Sequence, residues 1–186
     1  MIQNQKSHAT QYNRYPEIFE EVKSIIDYPK QILSFGCSKG EECNTLHEIY
    51  FPKSKIIGLD INTDVINKNI ENNKYKEIEY TNNINTITEK NDLIFAMSVL
   101  CVWPETDGEY TFETFNKTLD IIDNLLNING YLCIYNSKYL FTDTELFKNK
   151  YEKIITKYTD TGFVRKYHNN KKIKYKYPYF LFKKIK

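Results

Sequence analysis

Nine consecutive residues, Ser34-Phe35-Gly36-Cys37-Ser38-Lys39-Gly40-Glu41-Glu42, bring together two glycines, two hydroxyls, a thiol and two carboxylates. Gly36 frees the backbone for a tight turn off a preceding strand, and Gly40 lets a helix begin close to a ligand. A ligand held there meets unpaired backbone N–H groups at the helix N-terminus. No Lys-Ser/Thr pair follows the glycines, which excludes the phosphate-cradling loop of nucleotide hydrolases. About twenty residues further on, Asp60 closes a second apolar run, where a carboxylate can accept both hydroxyls of a ribose. A dinucleotide site uses the same acid but takes three glycines as G-x-G-x-x-G, and this loop offers Gly36 and Gly40 only. The pattern points to a nucleoside reader. The plainer alternative is an ordinary strand-to-helix turn, with Asp60 as a helix cap.

Such a loop works only if regular elements hold it. Gln31–Phe35 is a short apolar run ending at Gly36, which predicts a buried strand. Residues 40–50 carry Cys43, Leu46, Ile49 and Tyr50 at helical spacing, closed by Pro52. Lys55–Asp60 reads as a second buried strand. Thr63 or Asp64 can cap a helix whose Val65, Ile66 and Ile70 are expected on one side. Glu77–Tyr80 and Asp92–Leu100 read as strands three and four. Phe112–Leu126 steps its apolar residues by three and four, with Gly130 as its expected stop, and Tyr131–Tyr135 gives strand five. Apolar runs in residues 154–158 and 175–183 supply two closing strands. Alternating strands and helices at short spacing predict an α/β, Rossmann-like fold. The expected sheet has seven strands, mainly parallel, with helices on both faces and the last strand antiparallel.

Gly36-Cys37-Ser38-Lys39-Gly40-Glu41-Glu42 resembles motif I of class I S-adenosylmethionine-dependent methyltransferases, in the GCSxGEE form of the chemotaxis-receptor group. Thr10-Gln11-Tyr12-Asn13-Arg14 is similar to that group's T-x-[FY]-x-R segment. Asp60, Asn83-Ile84 and Asp92-Leu93-Ile94-Phe95 match its acid after strand two, its Asn-Leu after strand three and its strand-four motif. The resemblance runs over roughly residues 10–140. It implies that Gly36, Cys37, Ser38, Gly40 and Glu42 surround the methionine end of S-adenosylmethionine. Asp60 and Ile61 would hold ribose and adenine, Asn83 and Ile84 would flank the adenine, and Met97 and Ser98 would border the cofactor. Thr10 and Arg14 would close over it, within an N-terminal cap segment spanning residues 1–28 of a single domain, residues 1–186. Two positions depart from the group: Ser34 stands where many relatives carry an acid, and Ser98 stands where they carry an Asn. The receptor-docking parts of that group have no counterpart in these residues, and its substrate is not implied.

An acceptor hydroxyl needs a base near its proton, whereas a carboxylate does not. The three histidines, His8, His47 and His168, offer no clear base, and His47 reads as a solvated helix residue. Tyr12, Arg14 and Tyr15 are expected to line an acceptor pocket, with Arg14, Tyr15 and Trp103 as candidate catalytic residues. Arg14 as a plain surface charge is the competing reading. Trp103-Pro104 either lines the acceptor pocket or packs under a loop. No Asn-Pro-Pro-Tyr-type amine motif follows strand four, where the chain reads Met97-Ser98-Val99-Leu100, so the expected acceptor atom is an oxygen; the minimal fold expected here points to a small molecule or glycan.

Charge sorts the remaining classes. The formal net charge of +2 is close to neutral and does not mark the whole chain as a polyanion binder. Residues 165–186 nevertheless hold nine Lys/Arg and no acid, interleaved with Tyr. That pattern fits either RNA binding through charge and stacking or a final strand with lysines outward protecting the sheet edge. An RNA or protein acceptor using this tail, and a non-catalytic module keeping the cofactor fold, are the rival functions. Four scattered cysteines without a CxxC pair give no metal-site spacing and suit buried thiols in a reducing compartment. No run reaches the roughly 20 apolar residues that span a bilayer, and a cytoplasmic protein is expected.

Overall fold

The structure, a computed structural model, describes residues 9–103 and 110–186. His8, Pro104 and the first eight residues of the expected cap segment lie outside the described residues. Five short apolar runs form the parallel strands β1 (Gln31–Phe35), β2 (Lys55–Leu59), β3 (Ile78–Thr81), β4 (Asn91–Met97) and β5 (Leu126–Tyr135). With β7 (Tyr151–Lys153) and β9 (Leu181–Lys184) they make one seven-stranded sheet in the order β3-β2-β1-β4-β5-β9-β7. β9 is antiparallel to both of its neighbours, β5 and β7. The expected Rossmann-like sheet is present. Successive strand residues feed opposite faces. Leu33, Phe35, Ile57, Leu59, Ile94 and Ala96 enter one core, and Ile32, Ile56, Leu93, Phe95 and Met97 the other. The first core is covered by α4 (Phe112–Leu125) and α5 (Glu145–Lys150); the second by α1 (Pro16–Ile25), α2 (Glu41–Thr45) and α3 (Thr63–Glu71). No helix among the described residues is long and apolar enough to cross a membrane.

Several boundaries differ from the sequence reading, each for a local reason. The helix expected over residues 40–50 is α only to Thr45 and continues as a wider π-turn over Leu46–Tyr50. In α3, Ile66 is buried but Ile70 is 54% exposed; the buried side carries Asn69 instead, which donates to the Ser38 carbonyl at 2.8 Å. β4 stops at Met97, where Ser98 takes φ +58° and breaks the extended path. Gly130 does not stop α4. The helix ends at Leu125, and residues 127–130 form an irregularity inside β5, between the pairings Asn91–Leu126 and Leu93–Tyr131. Asn129 supplies the left-handed residue there (φ +67°).

The tail departs most. The run over residues 154–158 is not a strand; its place on the sheet is taken by β7, the edge strand, just before it. Only residues 181–183 of the second run join the sheet, in β9, which extends to Lys184 and is interior. The basic tail does not guard an edge. Its cations are dispersed: Lys184 is buried, donating to Asp123 Oδ1 at 2.8 Å, while Lys183 lies 5.9 Å from the Tyr131 ring centroid. Burial raises the proton affinity of the Asp123 carboxyl, but hydrogen bonds from Lys150, Lys184 and Tyr151 outweigh this and hold it below its ordinary value. This cluster ties β9 to the end of α4.

Candidate active site

The order of the strands reverses between β1 and β4, and in open α/β sheets ligands lie beyond the carboxyl ends of the strands at that place. A cavity of about 400 Å³ opens there. Its floor is the chain that leaves β1. Gly36 turns with φ +82°, and its N–H and that of Cys37 donate to the Leu59 carbonyl at 2.8 and 3.0 Å. A side chain on Gly36 would put its Cβ 2.6 Å from Val99 Cγ2. Left-handed strain and this overlap together predict that Gly36→Ala unfolds about 2 kcal/mol more easily. A urea midpoint equal to that of the unmodified protein would refute the packing described.

Asp60 follows β2 and is held on both oxygens. Ser38 N donates to Oδ2 at 2.9 Å and Asn62 N to Oδ1 at 3.0 Å. Ser38 pays for this contact with a left-handed backbone, φ +49°. Glu42, in the first turn of α2, accepts a hydrogen bond from Ser34 Oγ at 2.7 Å. Ser34 thus partners the second acid of the loop. Burial pushes the Glu42 carboxyl up to about 7, against the lowering effects of the Ser34 bond and the Arg14 charge.

Across the cavity, Ala9, Thr10, Gln11, Arg14 and Tyr15 form one wall ahead of α1. Arg14 Nη1 donates to the Ala9 carbonyl at 3.1 Å, and its guanidinium lies 5.1 Å from the Tyr15 ring centroid. Tyr15 Oη and Ser98 Oγ are 2.9 Å apart, and Asn136 Nδ2 donates to Ser98 Oγ at 2.8 Å. The amide that position 98 lacks arrives from the end of β5. Asn136 adopts φ +55°, and its Oδ1 accepts from Phe163 N at 3.0 Å.

Of the residues singled out in the sequence, Thr10, Arg14, Tyr15, Gly36, Cys37, Ser38, Glu42, Asp60, Ile61, Met97, Ser98 and Trp103 line this one cavity. Gly40, Asn83 and Ile84 do not. Gly40 sits at the start of α2 under the Tyr80 hydroxyl; Asn83 caps a single 3-10 turn by accepting from Asn85 N at 3.1 Å, and Ile84 packs toward the core. Tyr12 points away, donating to Glu48 at 2.6 Å. His47 is not solvated: its side chain is 12% exposed and lies against the Tyr75 ring, 4.6 Å between centroids. Neither His47 nor His168 lines the cavity. The sequence reading missed Asn136, Phe163 and Arg165. Asn136 had a local signal, an Asn directly after an apolar strand, where a left-handed residue is tolerated; Phe163 and Arg165 had none.

A comparison with curated protein sequences gives no significant match. Among solved structures, the ribosomal protein L11 methylase of Lactobacillus delbrueckii subsp. bulgaricus is similar, with 16% identity over 79% of this chain and 74% of that one and a TM-score of 0.56. Also similar in part are PKMT2 from Rickettsia typhi in complex with AdoHcy (25% identity, 55% of this chain and 20% of that one, TM-score 0.43) and the SAM-bound amino pentose methyltransferase CalS10 from Micromonospora echinaspora (14% identity, 68% and 50%, TM-score 0.48). The chain spans about a fifth of the Rickettsia protein and half of the Micromonospora one. The L11 methylase likeness is one of fold. Residues 26–177 match the family described as Methyltransferase domain, and because that stretch is most of the chain, the protein belongs to this family.

Proposed function

We propose that this chain transfers a methyl group from S-adenosylmethionine to an oxygen of a small molecule or glycan. One observation carries the reading: a single cavity joins the Gly36 turn and the Asp60 carboxylate to a neutral hydrogen-bonding cluster of Tyr15, Ser98 and Asn136. Its volume falls within the usual range for small-ligand sites, about 300–1,000 Å³. The residues fit the cofactor chemically. Each Asp60 oxygen is engaged by one backbone N–H and keeps a further acceptor site, so the pair can receive two ribose hydroxyls. Glu42 offers a negative partner for an ammonium, Arg14 a positive one for a carboxylate, and Leu59, Ile61 and Met97 an apolar surface for a base. On this reading the described residues act as one methyltransferase domain, with Ala9, Thr10, Gln11, Arg14 and Tyr15 lining the site from its N-terminal side.

When bound, the cofactor's sulfonium supplies the methyl group, and the protein supplies position. In-line transfer needs acceptor, methyl carbon and sulfur aligned, and holding them so can contribute about 7–11 kcal/mol of the barrier. Tyr15, Ser98 and Asn136 would orient the acceptor oxygen. Calorimetry should show that both S-adenosylmethionine and its demethylated product bind. Radiolabelled cofactor incubated with a panel of phenols, hydroxy acids, sugars, amines and RNA should then label at least one of the first three. No binding of either nucleoside ends the enzyme reading; binding with label appearing only on amines or RNA ends the oxygen and small-molecule reading.

A further inference from the structure

β6 (Ser137–Tyr139) and β8 (Val164–Lys166) form a separate two-stranded parallel ladder, pairing Ser137 with Val164 and Tyr139 with Lys166. In a strand, alternate side chains share a face. Phe163 and Arg165 are two apart, and both line the cavity. Arg165, counted from sequence among the basic tail residues, is therefore turned inward. Its guanidinium carbon lies 4.3 Å from the Phe163 ring centroid and 5.0 Å from that of Trp103. Aromatic faces favour a guanidinium through cation–π attraction and restrict where it sits. The guanidinium carries its donors in a rigid fork suited to an oxyanion, and it lines the cavity.

Cations are thus placed on two walls of the cavity. Arg14 stands on the N-terminal wall, where its charge reaches Glu42. Arg165, beside Trp103, lines the same cavity as the Tyr15–Ser98–Asn136 cluster that the proposed reading gives to the acceptor. A planar guanidinium matches an oxyanion through paired N–H···O bonds. A sulfonium nearby favours negative charge on the second substrate as well.

Resting on the methyltransferase reading, we propose that Arg165, held between Trp103 and Phe163, selects acceptors that carry an oxyanion, so that the acceptor is a small acid rather than a neutral alcohol or sugar. The ligand chemistry is an anionic oxygen group, either carboxylate or phosphate.

Trp103 is the only tryptophan in the chain and its ring is one of the two flanking Arg165, so its fluorescence reads occupancy directly. The full-length protein is first titrated with S-adenosylhomocysteine by calorimetry, then, once saturated, with benzoate, phenyl phosphate and benzamide while Trp103 emission is followed. At least one acid should bind about tenfold more tightly than the amide, since hydrogen bonds to charged groups exceed neutral ones by that order; the tighter of the two acids tells carboxylate from phosphate. In Arg165→Gln the preference should vanish. In Arg165→Lys, which keeps the charge and loses the fork, it should persist in part, which separates loss of recognition from loss of fold. Equal affinity for acid and amide, silence from both acids at their solubility limit, or an intact preference in Arg165→Gln would overturn the inference. Failure of S-adenosylhomocysteine to bind would instead strike the methyltransferase reading itself.

Discussion

Asp60→Ala is expected to bind S-adenosylhomocysteine at least about 100-fold more weakly than the unmodified protein, because two charge-assisted hydrogen bonds of about 1.5–3 kcal/mol each are lost together. The residue has a second role that must be separated from the first. Its oxygens also accept from Ser38 N and Asn62 N, so its removal leaves two backbone donors without that partner. A slackened loop would weaken any ligand without a ribose contact being involved. The two causes differ in their dependence on the ligand. With the 2′-deoxy analogue the unmodified protein should lose about tenfold, while Asp60→Ala should lose nothing further, since the carboxylate that read the hydroxyl is gone. Such non-additivity is the sign of direct contact. If both proteins lose affinity equally on removal of the hydroxyl, Asp60 props the loop and does not touch the ribose.

Asp60 and the glycine loop were legible because local backbone demands fix them. A turn with φ +82° at position 36 calls for glycine, and an acid directly after an apolar strand has one place to go in a parallel sheet. The buried strands were legible for a similar reason: runs buried on both sides, such as Ile32-Leu33 and Leu93-Ile94-Phe95, are continuously apolar. α1 carried a signal that went unused, Pro16 in its first turn followed by Ile18, Phe19 and Val22 on its buried side. Pro at that point gives up a donor that would have no helical partner.

What could not be read depends on contacts distant in sequence. Asn136 and Tyr15 meet Ser98 from 38 and 83 residues away, and nothing in either neighbourhood announces the partner. Arg165 sits in a basic, tyrosine-rich stretch whose composition suggested an outward face. Its direction is set instead by the register of β8 on β6. Gly130 misled for a different reason: Asn129 and Gly130 do mark a break, but sequence does not say whether the break ends a helix or lies within the next strand.

Glu42 gives the second large effect, and it is one of pH. Burial holds the free carboxyl at about 7, above the ordinary glutamate value. A cation bound against it favours the ionised form, so below pH 7 the protein must release a proton before binding. Affinity for S-adenosylmethionine should therefore rise with pH up to about 7 and then level off. From pH 5 to pH 8 the gain should be about 100-fold, one decade for each unit below the carboxyl's value. Stability runs the other way. A carboxyl whose folded value lies above its unfolded one favours the folded state at low pH, and that contribution is lost as pH rises from about 4.5 through 7. Glu42→Gln keeps the shape and can still receive the Ser34 hydroxyl, but has no proton to exchange. It should bind the cofactor weakly at every pH, with a flat profile, and resist urea at pH 8 better than the unmodified protein. Calorimetry at pH 5, 6, 7 and 8 on both proteins tests this. A slope that survives in Glu42→Gln would assign the titration to another group and remove Glu42 from the ammonium's side.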